Sequence, residues 1–419
     1  MTVLDLFSGA GGLSEGFFRI GSTFVGHVEL DHHASKTLKT RTAYWNLKKE
    51  NKLDIYNDYL LEKITTEELW EKANILNSND VINKPISSET FDDITTIINK
   101  NLKEKKLKNI DVIIGGPPCQ AYSVIGRARM KDTVKDNPRN FLYKYYVRFL
   151  EKYNPKMFIF ENVMGLKTAG NGEYYESLQK ALDKAGYHIE ENVMVASDYG
   201  VLQSRKRIII VGWRKEEGKD RYDFPKFEQL KLDDDITVND VLKDLPYTFP
   251  GNKISGLNKY KKETNKYLVQ SNIREDGFDI LTQHETRPHN NRDREIYKEA
   301  IIAWDERKER LCYRELASRR PDLITHKNTE TFTNRFNVIK ATEKASHTIL
   351  AHMAMDGHYY IHPDINQLRS LSIREAARLQ SFPDDFFFEG PRTSIFRQIG
   401  NAVPPKMAEQ IAKKIKELI

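Results

Sequence analysis

Apolar residues fall along this chain in short runs that end on glycine, proline or acid. Residues 2–7 (TVLDLF) run into the glycine cluster Gly9, Gly11 and Gly12. Residues 24–30 (FVGHVEL) end on the acids Glu29 and Asp31, and residues 110–114 (IDVII) run into Gly-Gly-Pro-Pro. Each run reads as a strand followed by a helix-like segment, the rhythm of a βαβ chain with a parallel sheet. MFIFENV (157–163) and RIIIVGW (207–213) predict two more strands, with a helix over 173–186 ending near Gly186. The charged, mostly helical stretch 45–108 breaks this alternation and reads as an insertion on the sheet's edge. From about 214 to 368, prolines 225, 246, 250 and 288, scattered aromatics and basic clusters replace the rhythm, marking a second domain with no clear period. Order returns at Ser372, which forms a capping box with Glu375 at the start of SIREAARLQ. Pro404–Pro405 then opens a final helix to Ile419.

Composition changes this picture little. At 419 residues and 39% hydrophobic content, two domains are expected. The formal charge of +6 permits a polyanionic partner without demanding one, so that argument rests on local clusters. Two cysteines, Cys119 and Cys312, argue against a disulfide framework and a thiolate-rich zinc site, and no metal is expected. The N-terminus lacks the pattern of a signal peptide, and no run approaches the ~18 apolar residues of a membrane span. A soluble, intracellular protein with no membrane partner is the expectation.

Five segments carry candidate chemistry. In DLFSGAGGLSEGF, glycines let the backbone approach a ligand, and the following helix N-terminus favours a carboxylate or phosphate. Glu29, 20 residues beyond Gly9 at the end of the next strand, suits ribose hydroxyls. The spacing departs from G-x-G-x-x-G at Ser14, and an ordinary strand–helix turn fits the same pattern. In GGPPCQAYS, Cys119 follows a strand and two prolines, on a rigid turn at the edge where open α/β sheets bind ligands. A buried, inert thiol is the commoner fate of a lone cysteine, but the polar, glycine-rich surroundings oppose it. In FIFENV, Glu161 ends an apolar strand, where a raised pKa would make it a proton donor near neutrality, or where it could be a helix-capping or salt-bridged acid. In QSRKRIIIVG, Gln203, Arg205 and Arg207 precede a strand. Alternating arginines share one face of an extended chain and could hold a polar base edge or Glu161, or form a solvated edge. QIGNAVPP (398–405) alone indicates only a turn and a helix start.

Taken in this order, these segments closely resemble the DNA cytosine-5 methyltransferase family, of the prokaryotic restriction-modification type. The likeness covers DLFSGAGGLSEGF, VELDHHA, GGPPCQAYS, ENV, QSRKR, RSLSIREAARLQSFPDDF and QIGNAVPP. The resemblance implies an α/β fold: a Rossmann-like S-adenosylmethionine-dependent catalytic domain over 1–213 and 395–419, and a smaller target-recognition domain over 214–394. Double-stranded DNA would lie in the cleft between them. It implies Cys119 as the nucleophile attacking carbon 6 of cytosine, Glu161 on nitrogen 3, and Arg207 with Arg205 steadying Glu161 and the ring oxygen. S-adenosylmethionine, leaving as S-adenosylhomocysteine, would be held by Phe7, Gly9, Gly11, Glu29 and Leu30, by Asp80 at the adenine, and by Pro117, Leu142, Asn401 and Val403. The target cytosine must be flipped out of the stack. The loop 124–139 has five basic residues and two acids, so DNA contacts are expected from Gln120, Ser123, Arg127, Arg129 and Arg139. Residues 251–275, with six basic and two acidic residues and interleaved Tyr260 and Tyr267, suit a DNA-facing surface. HETRPHNNRDREIYKEAIIAWDERKERL reads as a surface helix.

Three classes of rival reading are weaker, the first of them, RNA cytosine-5 methyltransferases, in two forms. The RNA cytosine-5 methyltransferases with two working cysteines are disfavoured because Cys312 sits far from every catalytic motif. The RNA-acting branch with DNA-type motifs carries a Cys-Phe-Thr tripeptide and lacks a large recognition region, unlike this chain. Amino-methyltransferases do not need the cysteine that follows Pro-Pro here. A silent DNA-binding regulator should have lost some of Cys119, Glu161, Arg205 or Arg207, and all four are present. Since the first motif begins at Val3, a stand-alone, monomeric prokaryotic enzyme of the cytoplasm is expected, paired with a cognate restriction endonuclease.

Overall fold

The apolar runs of the first half become neighbouring strands in a computed structural model, which describes residues 1–118, 141–216, 227–324 and 335–419. The chain runs β1 (Thr2–Leu6), α1 (Gly12–Arg19), β2 (Thr23–Val28), α2 (His32–Lys49), α3 (Leu53–Leu60), α4 (Thr66–Lys72), β3 (Val81–Ile82), α5 (Phe91–Glu104) and β4 (Val112–Gly115). It continues with α6 (Leu142–Tyr153), β5 (Met157–Asn162), α7 (Glu173–Lys184), β6 (Tyr187–Val195) and β7 (Lys206–Arg214). Beyond these come β8 (Lys253–Leu257), α8 (Lys266–Gln270), β9 (Ile280–Glu285), α9 (Asn291–Arg307), α10 (Tyr313–Arg319), α11 (Ile373–Leu379), α12 (Arg392–Asn401) and α13 (Pro405–Leu418).

One sheet has the order β3-β2-β1-β4-β5-β7-β6, and β8 and β9 form a separate antiparallel pair. Strands β1 to β5 pair in parallel, while β7 runs antiparallel to both β5 and β6. Helices cover both faces, which is why the inner strands read as continuous apolar runs. Phe91, Ile94 and Ile98 of α5, Tyr146 and Phe149 of α6, and Leu178 and Leu182 of α7 pack one face. Leu13 and Phe17 of α1, with Met407, Ile411 and Ile415 of α13, pack the other. This is the Rossmann-like sheet that the motifs implied.

Two expectations need correction. The stretch 45–108 is not wholly an insertion, because it contains edge strand β3 and α5, which packs on the sheet before β4. Only α3 and α4 are added to the alternation; they pack with the second half of α2 around Tyr44, Tyr56 and Trp70. The helix within HETRPHNNRDREIYKEAIIAWDERKERL is α9, which is more than a surface helix, since Ile296, Tyr297, Ala300 and Ile301 are buried. Strand β6 was not legible. Its charged, half-exposed sequence YHIEENVMV is that of an edge strand protected by charge.

A separate apolar cluster joins α11 and α12 to Ile236, Val238, Tyr267, Ile349 and Leu371. Residue 395 falls inside α12, whose Ile395, Phe396 and Ile399 all belong to this cluster. The capping box of Ser372 and Glu375 is formed as expected. Three arginines of the RSLSIREAARLQ stretch, Arg369, Arg374 and Arg378, are fully buried. Arg378 donates to both carboxyl oxygens of Asp244 and of Asp384, at 2.5–3.1 Å, and to the carbonyl of Val241 at 3.0 Å. Removing it would leave buried Asp244 with only Arg274, and buried Asp384 with only the Tyr260 hydroxyl, as close partners. Arg378→Met should therefore cost about 3–5 kcal/mol of stability, read as a lower urea midpoint. An unchanged midpoint would contradict this account.

Candidate active site

The ends of β1, β2, β4 and β5 define one edge of the sheet. Ile114 pairs with Ile159 and Gly115 with Phe160, so the register brings Gly116 beside Glu161. Because β7 is antiparallel, its start meets the end of β5: Glu161 lies opposite Ile209, and Arg207 stands two residues away on the same face. The Arg207 guanidinium Nε reaches Glu161 Oε1 at 2.8 Å. Burial raises the Glu161 pKa, and Arg207, then Arg205, pull part of that rise back. A Cβ on Gly116 would stand 2.5 Å from Glu161 Oε2, so glycine alone lets the backbone pass the carboxyl. Asn162 donates to the Pro117 carbonyl at 3.2 Å, tying the Pro-Pro turn to the end of β5. Sequence reasoning overlooked Asn162 and Gly116. Their signal was adjacency to Glu161 and Pro117 within motifs already singled out.

The segment before β7 divides its labour. Gln203 is buried; it donates to the Leu379 carbonyl at 2.9 Å and to Gln380 Oε1 at 3.1 Å, and accepts from the Ile349 amide at 3.0 Å. Arg205 is buried and donates to the carbonyls of Ile349 at 2.8 Å and Gly400 at 2.9 Å. Arg205 lies before the strand begins, braces two backbone segments, and reaches Glu161 through its field.

On the other side of β1, Gly9 donates to Glu29 Oε2 at 2.7 Å and Asp31 donates to Oε1 at 2.8 Å. Burial raises the Glu29 pKa against these backbone bonds. Each oxygen keeps acceptor capacity for a hydroxyl. Phe7 holds φ at 56°, a conformation seldom adopted by non-glycine residues, at the turn leaving β1. Nothing lies within 4 Å of where a Gly9 Cβ would be, so the loop opens onto free space there. The other glycines face inward. Gly11 abuts Leu38, Gly12 the Val403 carbonyl, and Gly16 the Ala408 backbone, which lets α1 and α13 approach closely. Gly11 therefore shapes the turn rather than opening it. Leu30 is 65% exposed at the rim. Leu142 is half-buried at the start of α6, Asn401 is exposed at the end of α12, and Val403 is buried against α1.

Asp80 stands elsewhere than expected. It precedes β3, level with Gly26 and His27, at the strand's entry instead of its exit, and its carboxylate pairs with Lys105 at 2.6 Å. Asn83, just past β3, donates to the carbonyls of Glu29 and Leu30, both at 2.9 Å. Cys119, Gln120, Ser123, Arg127, Arg129 and Arg139 lie outside the described residues.

A parallel sheet whose exits gather a glycine loop, an acid after β2, a Pro-Pro turn and a buried Glu–Arg pair is the framework of a nucleoside-dependent transferase. The family model for C-5 cytosine-specific DNA methylases matches residues 1–66 and 58–417, and the chain belongs to this family. It is 40% identical over 451 residues to the type II methyltransferase M.Bpa9945I of Bacillus paralicheniformis, covering all of this chain and 99% of that one. It is 28% identical to the type II methyltransferase M.DdeI of Desulfomicrobium norvegicum, over 99% of this chain and 88% of the relative. Among solved structures, a prophage-encoded E. coli protein described as a DNA modification methyltransferase aligns at 25% identity with a TM-score of 0.64, covering 100% and 99% of the two chains. The Dnmt2 methyltransferase of S. pombe, 14% identical with a TM-score of 0.55 over the same coverage, shares the fold. Among the described residues no helix is long and apolar enough to cross a membrane.

Proposed function

We propose that this enzyme methylates carbon 5 of one cytosine within a specific double-stranded DNA sequence, through a covalent bond between Cys119 and carbon 6 of a flipped-out base. The observation that carries the reading is Glu161, buried with a raised pKa, clamped by Arg207 and lying under the Gly116–Pro117 turn that leads to Cys119. We infer a catalytic unit of 1–213 with 395–419, a recognition unit of 214–394, and DNA in the cleft between them. The type II relatives support a restriction-modification role in a prokaryotic cytoplasm, beside a cognate endonuclease.

Carbon 5 of cytosine is a poor nucleophile. Attack by the Cys119 thiolate on carbon 6 gives an enamine-like ring with electron density at carbon 5. Charge also develops toward nitrogen 3, where Glu161 donates its proton, held longer toward neutrality by burial. Arg207 holds one carboxyl oxygen and so aims the other, while Arg205 acts as a positioning residue through the backbone at 349 and 400. Bound S-adenosylmethionine supplies the methyl group as an electrophile. Carbon 5 then loses its proton to water, Cys119 leaves by elimination as the thiolate, and nitrogen 3 returns its proton to Glu161. The free space at Gly9 and the remaining acceptors of Glu29 fit a nucleoside with a ribose diol. Phe7, Gly9, Glu29, Asn83 and Pro117 would hold it, with Gly11, Leu30, Leu142, Asn401 and Val403 around them. Gln120, Ser123, Arg127, Arg129 and Arg139 are assigned to DNA.

Bisulfite sequencing of DNA from cells expressing the protein tests this function. One methylated cytosine in a fixed sequence is expected, and an absence of new methylation would overturn the reading. Gly116→Ala forces the Glu161 carboxyl to move and should lower kcat about a hundredfold. A variant with unchanged kcat would show that the close approach is unimportant.

A further inference from the structure

Two large apolar side chains stand out to solvent on segments that are otherwise tightly held. Met355 is 70% exposed and Phe249 is 56% exposed. Met355 follows the 3-10 turn Ala351–Ala354, whose first residue touches α12 where a Gly400 Cβ would come within 2.2 Å of the Ala351 amide nitrogen. Arg287 donates to three successive carbonyls of this loop: Met353 at 2.9 Å, Ala354 at 2.8 Å and Met355 at 3.2 Å. The chain around Phe249 is bound to the same arginine's segment. The Phe249 carbonyl accepts from the Thr286 hydroxyl at 2.6 Å, and Gly251 donates to the Arg287 carbonyl at 3.1 Å. The preceding residue, Thr248, is buried and fixed by Gln367 and Arg369.

The segments of Phe249 and Met355 are thus both tied to Thr286 and Arg287. Three features argue for what covers them. The Met355 loop is continuous with the site, because Arg205 grips Ile349 two residues before the turn, and Arg205 acts on Glu161. Cations outnumber acids around the pair: Arg287 is bonded to the Met355 loop, and Arg392 donates to the Thr286 carbonyl at 3.2 Å and pairs with Glu285 at 3.6 Å, while Asp356, next to Met355, pairs with Arg335 at 3.4 Å. Nearby Lys261 sits 3.9 Å over the ring of Tyr247, itself half-exposed. Braced backbone carrying exposed apolar side chains among cations suits a polyanion with stacked apolar rings inside. Proteins that unstack DNA use Phe and Met as wedges between base steps.

We propose that Phe249 and Met355 form an apolar rim, braced by Arg287, that presses on the base steps beside the flipped cytosine and helps choose the sequence methylated. The proposal rests on duplex DNA as substrate. Its failure is separable from failure of that reading, because wild-type methylation is measured in parallel.

The experiment uses the full-length protein and a duplex carrying the methylated sequence found by bisulfite sequencing. Phe249→Ala and Met355→Ala should each raise KM for the duplex about tenfold. The dependence of binding on salt should keep its slope, since no phosphate contact is removed. Met355→Leu should restore most of the loss. Leu418→Ala supplies the control: Leu418 is 36% exposed at the end of α13, where neighbouring Lys416 donates to the Ile20 carbonyl before the start of β2, and it should stay within about twofold of wild type. Rim variants within about twofold of wild type, or an equal loss in Leu418→Ala, would overturn the proposal. So would a fall in melting temperature large enough to explain the lost activity, or a flattened salt slope.

Discussion

Cys119→Ser protein is expected to bind its target duplex and leave it unmethylated, with activity falling on the order of 10⁴-fold or more. The reason is chemical. A thiol ionises within reach of neutral pH, whereas a serine hydroxyl stays protonated and is a poor nucleophile toward an aromatic ring carbon. Without attack at carbon 6, carbon 5 gains no electron density. A second measurement separates this from a binding defect. On duplex carrying 5-fluorocytosine at the target, carbon 5 cannot shed its substituent, so the wild type should remain covalently attached. Cys119→Ser should form no such adduct while retaining affinity for the unmodified duplex. Methylation that persists in Cys119→Ser would sink the mechanism.

The second large effect is at Glu161. Glu161→Gln should lower kcat by roughly 10²–10⁴-fold, the usual worth of a general acid. The pH dependence has a definite sign. Burial raises the Glu161 pKa above its ordinary 4.5, Arg207 notwithstanding. The protonated carboxyl is the donor, so activity from this group is full below its pKa and falls as pH rises through it. The raised value moves that fall toward neutrality. Glutamine does not ionise, so the variant should lose this limb of the kcat profile along with most of its rate. A variant profile that kept the same limb would assign the limb to another group.

The sheet was legible because buried parallel strands leave an unmistakable apolar trace. Even so, β3 escaped, being two residues long, and β6 escaped behind its charges. The antiparallel course of β7 was not legible either, since its run RIIIVGW reads the same in both directions. That direction decides how QSRKR functions: it puts Arg207 on Glu161 and turns Gln203 and Arg205 toward the backbone. Asp80 comes from the resemblance alone, and only the register shows which end of the strand it occupies. In the stretch from 214 to 368, side chains hold the structure more than periodicity does. Arg287 and Arg369 bind backbone carbonyls far away in sequence, and no pattern of spacing announces such bonds.

Gln203 and Arg205 also set a rule for exchange. The segment we assign to DNA recognition leaves the sheet at Arg214, the end of β7 away from Glu161, so its interior can be replaced without cutting the edge that carries Glu161. Any graft must nevertheless return an amide and a carbonyl at Ile349 to this Gln–Arg clamp, which also grips Leu379 and Gly400. Chimeras that keep residues 346–350 from the host should therefore inherit a new sequence preference with the old turnover. Those joined beyond 350 should arrive with a catalytic edge out of true.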